Sequence, residues 1–123
     1  MEETSMIRVL KIEPGRPPEK VKMANTLEAL QETVGGLIEV VTLDSDVCLI
    51  CNDEGKLIGL PGNRRLRGDI IAGTFVIVGD DGDGGLCSLS DDAVRKYTEQ
   101  FATPELFEPN EVQDSITFGF FPL

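Results

Sequence analysis

Apolar and polar residues alternate over Met6–Glu13 (MIRVLKIE). Ile7, Val9 and then Leu10 or Ile12 are set against Arg8, Lys11 and Glu13, which predicts a first strand with one irregular step. Pro14-Gly15-Arg16-Pro17-Pro18 reads as a turn, because proline fixes φ and glycine permits the reversal. Glu19–Met23 alternates again and is expected to pair back as a hairpin. The period then changes. Leu27, Leu30 and Val34 fall at i, i+3 and i+7, one stripe of a helix facing a sheet. Asn25 is the expected N-cap, with Glu28 three residues on, and Gly35-Gly36 the expected stop. Two further apolar runs, Leu37–Leu43 and Val47–Cys51, are joined by Asp44-Ser45-Asp46 as a second hairpin.

The second half reads less regularly. Asn52–Gly55 is a turn, and Leu60–Gly68 carries no clear period. Asp69–Val78 (DIIAGTFVIV) is the most apolar run and is expected to be a single central strand. A glycine–aspartate loop, Gly79–Gly85, leads to a second helix over Asp91–Phe101. Ser90 is its cap, and Val94, Tyr97 and Phe101 form its buried stripe. Thr103-Pro104 ends it. Ile116, Phe118 and Phe120 alternate, so the last segment is expected to finish as an edge strand or to dock on the domain. Five or six short strands and two helices predict an α+β domain: a mainly antiparallel sheet with both helices packed on one face. The expected division is one domain over residues 1–101, followed by an acidic tail over residues 102–123.

Composition narrows the function classes. The 123 residues carry 22 acids and 11 bases, a net charge of −11. Such a chain repels nucleic acid, so direct nucleic-acid binding is not expected. Acidic surface often serves solubility alone. Its sharper use is to compete with nucleic acid for the basic groove of another protein. No run approaches the ~20 apolar residues needed to span a bilayer. The start, MEETSMIRV, lacks the basic and apolar regions of a secretory signal, so the expected compartment is the cytoplasm.

Candidate chemistry is sparse. There is no histidine, which removes histidine-dependent triads, histidine–metal sites and imidazole acid–base catalysis. With no recognisable nucleophile–base pair either, an enzyme is not expected. Cys48-Leu49-Ile50-Cys51 has the C-x-x-C spacing but lies in an apolar strand, where positions three apart face opposite ways. These thiols and Cys87 are expected to pack as small hydrophobes, with no metal or cofactor. Asp80–Gly85 resembles a calcium loop at first glance. Counted from Asp81, however, it places Leu86 where glycine is required.

The most unusual segment is Gly59–Asp69 (GLPGNRRLRGD), where three of the eleven basic residues fall together. Arginine holds carboxylate or phosphate in a bidentate fork. Asn52, Asn63, Arg64, Arg65 and Arg67 are therefore candidate ligands for a small anion such as a nucleotide, unless these arginines pair with the domain's own acids. Asp80, Asp81, Asp83, Glu105, Glu108, Glu111 and Asp114 are candidates for contact with a basic partner.

The steps LQxxVGGxIE at Leu30–Glu39 and NxEGKxxGLPxNR at Asn52–Arg64, with GDIIAGTFVIVGDD after them, resemble the domain-of-unknown-function family numbered 3846. The resemblance covers about Met6 to Phe101 and leaves the tail outside. It implies a small accessory protein of phages and conjugative elements of Gram-positive bacteria, and such proteins often act against host defences. The leading expectation is therefore a non-enzymatic inhibitor of a host defence protein or nuclease that presents an acidic surface. The alternative is a small-molecule binder built on the arginine segment.

Overall fold

The computed structural model describes residues 5–119. The strands are β1 (Met6–Ile12), β2 (Glu19–Ala24), β3 (Ile38–Asp44), β4 (Val47–Asn52), β5 (Gly62–Leu66), β6 (Asp69–Ala72), β7 (Phe75–Asp80) and β8 (Leu86–Cys87). The helices are α1 (Leu27–Val34), α2 (Asp91–Gln100) and α3 (Pro109–Gly119). One antiparallel sheet runs in the order β2-β1-β7-β4-β3, with the short β8 also pairing with β7. β5 and β6 form a separate two-stranded hairpin. The architecture is α+β with a mainly antiparallel sheet.

β4 and β7 lie inside the sheet and are apolar on both faces: Leu49, Ile50 and Phe75–Val78 have no exposed surface. Their alternation sends two sets of side chains in opposite directions. Ile7, Val9, Cys48, Ile50, Val76 and Val78 meet Leu30 of α1. Leu10, Ile12, Leu49, Phe75 and Ile77 meet Ala93, Tyr97 and Phe101 from the α2 segment, with Leu66 and Ile71 of the β5–β6 hairpin packed against them. The expectation of both helices on one face is therefore corrected. A central strand apolar on both sides needs a cover on each, and α1 and α2 supply one apiece.

Four local expectations also change. α1 is capped by Thr26, whose Oγ1 accepts from the Ala29 amide at 3.1 Å. Asn25 instead donates its Nδ2 to the Leu86 carbonyl at 2.9 Å. Residues 60–68, read as irregular, contain β5. The run from Asp69 to Val78 is two strands in two sheets, because Gly73 breaks it at φ +84°. The tail begins as α3 rather than an edge strand. Proline suits the first helical position, and Glu111 Oε1 reaches back to accept the Glu108 amide at 3.1 Å. Phe120, the last residue of the supposed strand, lies outside the described residues. Val112 of α3 is buried against Ile70 and Ala72, with Leu60 and Phe107 around them, so the tail is docked on the hairpin.

Candidate functional site

Asn63 and Arg64 lie on β5, with at most 1% of either exposed. A guanidinium has five N–H donors. Arg64 directs Nε and Nη2 to the Phe101 carbonyl at 3.2 and 3.0 Å. Nη2 also reaches the Arg16 carbonyl at 2.6 Å. Nη1 binds the Asn63 carbonyl and Oδ1 at 3.3 and 2.7 Å. Asn63 Nδ2 donates in turn to the Ile12 and Gly73 carbonyls, at 2.8 and 2.9 Å. This network joins the end of α2, the β1–β2 turn, β1 and the β6–β7 junction. No basic residue stands in the last turn of α2. Arg64 supplies the cation that the negative end of the helix dipole favours. Burial lowers the Arg64 pKa, and the Glu105 carboxylate opposes that shift.

The other arginines are also engaged within the chain. Arg65 binds Glu111 at 2.9 Å, pairs with Glu105 at 3.7 Å and stacks over the Phe107 ring at 5.0 Å from its centroid. Its amide donates to Glu105 at 2.9 Å. Arg67 donates to the carbonyls of Thr42 and Leu43 at 3.1 and 3.5 Å. Asn52 is buried, with Nδ2 on the Val34 carbonyl at 3.1 Å and Oδ1 accepting the Glu54 amide at 2.8 Å. Of the five anion candidates Asn52, Asn63, Arg64, Arg65 and Arg67, Asn63 and Arg64 share the buried network, while Asn52 and Arg67 line a separate cleft. The five do not converge, and Arg64 has no donor left for a ligand. Isolated arginines in an acidic chain look like a ligand cradle in sequence. In the fold they are internal fasteners.

The acidic candidates divide into two groups. Glu105 and Glu111 pair with the half-exposed Arg65 and so tie the tail to β5. Glu108 and Asp114 are exposed beside them. The glycine–aspartate loop is different. It stands beside the β3–β4 turn, with the Asp80 amide donating to the Asp46 carbonyl at 2.9 Å. Asp81 and Asp83 are exposed and Asp80 is half-buried. Asp81 Oδ1 accepts the amides of Asp83 and Gly85 at 2.7 and 3.0 Å, which lowers its pKa. Among the described residues no cation pairs with Asp46, Asp80, Asp81 or Asp83, and no three metal-ligating side chains come together. These four carboxylates form an acidic end of the sheet.

Cys48 belongs to the α1 face and Cys51 to the α2 face, as the strand period requires. They cannot share one ligand. Burial, and then Glu39, pushes the Cys51 thiol from 9.0 up to about 12. Burial and Asp80 raise that of Cys48, and burial and Asp81 raise that of Cys87.

A feature not legible in the sequence is a cleft of about 460 Å³ between β3–β4 and the β5–β6 hairpin. Val41 and Leu49 are among its apolar walls, while Glu39, Asp53 and Glu54 bring exposed carboxylates to it. Its two cations are engaged: Lys56 is paired with Asp69, and Arg67 rests on β3 carbonyls. These residues are scattered through the chain, and only the folding of the hairpin over the sheet gathers them.

Among the described residues no helix is long and apolar enough to cross a membrane. Residues 7–102 match the family model described as a domain of unknown function (DUF3846). Neither a curated protein nor a solved structure matches the chain significantly.

Proposed function

A match over most of its length means that the chain belongs to the DUF3846 family, and from that premise we propose that it is a non-enzymatic protein that binds a partner with a basic surface. The partner is a host defence protein or nuclease, and binding inhibits it. The proposed setting is a small accessory protein of a phage or conjugative element, in keeping with the family resemblance, and the proposed compartment is the cytoplasm.

One observation carries the reading: the distribution of positive charge. Arg8, Lys11, Arg16, Lys56, Arg65, Arg95 and Lys96 are taken up in ion pairs within the chain. Arg64 and Arg67 bind carbonyls. Of the eleven bases, Lys20 and Lys22 alone have no partner among the described residues, and both lie on the outer strand β2. The acidic end at Asp46, Asp80, Asp81 and Asp83 therefore keeps an uncompensated field. A field of one sign steers an oppositely charged protein and speeds association.

Affinity capture from host cells that carry defence systems, analysed for proteins and for co-purified nucleotides, tests this. A captured protein with a basic surface, lost when Asp46, Asp80, Asp81 and Asp83 are changed to Asn, is the expected result. Capture of nucleotides alone, or of a protein indifferent to these changes, would contradict it.

A further inference from the structure

The geometry points to the outer edge of β3 as a docking strand for an extended, basic segment of that partner. The inference rests on the reading above that the partner is basic, but it uses a different surface from the acidic end. The register gives the first argument. The Asp53 amide donates to the Leu37 carbonyl at 2.8 Å, so this pair is of the hydrogen-bonded kind. Antiparallel pairs alternate in kind. Glu39 and Val41, opposite Cys51 and Leu49, therefore bond inward to β4, whereas Ile38, Val40 and Thr42 aim their amides and carbonyls outward. β3 ends the sheet. Arg67 covers the Thr42 and Leu43 carbonyls. The outward groups of Ile38 and Val40 face a free edge.

The two edges of the sheet are protected unequally. β2 carries the unpaired Lys20 and Lys22, the charges with which natural proteins discourage strand addition. β3 has no lysine and no proline, and its Val40 is 54% exposed. An open edge beside a shaped pocket is the arrangement used in strand-addition recognition: main-chain bonds give affinity and alternate side chains give specificity.

Charge and polarity decide what fits. On one face of an added strand, side chains would lie beside Val40 and should be apolar. On the other they would lie beside Glu39 at the cleft, where Asp53 and Glu54 add negative charge and the cations among the described lining residues, Lys56 and Arg67, are already engaged. The segment that fits alternates apolar with Lys or Arg. A second copy of this chain is disfavoured, because each copy brings a net charge of −11.

The test uses a capped synthetic peptide of alternating valine and lysine, titrated into the whole protein and followed by amide NMR and hydrogen exchange. The expected result is shifted and slowed amides at Ile38 and Val40, with those of Lys20 and Lys22 unchanged. Val40→Pro removes an outward donor and leaves the β3–β4 ladder intact, so it should weaken binding about tenfold. Glu39→Gln, which touches no backbone, should weaken it severalfold and serves if the proline variant does not fold. A peptide of alternating valine and glutamate should not bind. Shifts confined to Asp80–Gly85, or equal binding of the acidic peptide, would overturn the inference. If a captured basic partner responds to the aspartate changes at the acidic end but to neither β3 variant, the edge is wrong while the proposed function stands.

Discussion

Arg64 shows how one residue changes meaning between chain and fold. Three arginines within four positions of an acidic chain signal an anion site. Burial and five internal hydrogen bonds make Arg64 a clasp instead. Truncation would leave the buried Phe101 carbonyl and Asn63 Oδ1 without this donor, and each buried unsatisfied group costs roughly 1–3 kcal/mol. Arg64→Ala should therefore cost roughly 3 kcal/mol or more of stability, and Arg64→Lys should recover only part, since an ammonium lacks the planar fork. Urea unfolding measures both, and a loss below about 1 kcal/mol for the alanine variant would show that the clasp matters little. Cys51 gives a prediction in pH. Its thiol is held at about 12 in the fold against an ordinary 9.0. From about pH 9 upward the unfolded chain loses this proton first. The stability contributed by the neutral buried thiol is complete below that pH and falls as pH rises toward 12. Stability should decline over this window with a slope that Cys51→Ala reduces. Identical slopes in the two proteins would contradict the assignment.

Among the elements, β1 to β4 and α2 were the most legible. Alternation, with one irregular step in β1, marked β1 and β2, and the caps at Ser90 and Gly35 fell where the side-chain oxygen and the left-handed glycine, at φ +82°, place them. What escaped was non-local. The apolar pattern of Asp69–Val78 does not say that its halves join different sheets. That depends on Gly73, whose amide binds Pro61 at 2.8 Å and whose added Cβ would lie 2.6 Å from Leu60 Cδ1. Gly73→Ala should destabilise by roughly 1–3 kcal/mol, through the positive φ and the clash together. A variant as stable as the parent would mean that the break does not need glycine. The tail misled for a similar reason. Alternation at Ile116, Phe118 and Phe120 looked like a strand, while the helix-start chemistry of Glu108, Pro109 and Glu111 decided otherwise. Its docking centres on Arg65. Arg65→Ala should speed proteolytic cleavage within residues 102–115 and shift global stability by under about 1 kcal/mol, because the pairs are exposed. Unchanged cleavage would place the anchoring in Val112 and Phe107 alone.

At the scale of the molecule, the sequence revealed the amount of charge but not its arrangement. The surplus of acids was plain. That Glu105 and Glu111 turn onto Arg65, while Asp46 joins Asp80, Asp81 and Asp83 at one end of the sheet, depends on which turns the topology brings together. The cleft and the free β3 edge were invisible for the same reason. The central claim is that an uncompensated acidic surface binds a basic partner. Screening shortens the Debye length from about 10 Å at 0.1 M salt to about 3 Å at 1 M, so binding through such a surface must weaken steeply with salt. The most direct test is the affinity of the captured partner, measured across a salt series for the parent and for the variant with Asn at 46, 80, 81 and 83. The expected result is a steep loss of affinity with salt in the parent and a shallower slope from a weaker start in the variant. An affinity indifferent to salt and the same in both proteins would contradict it.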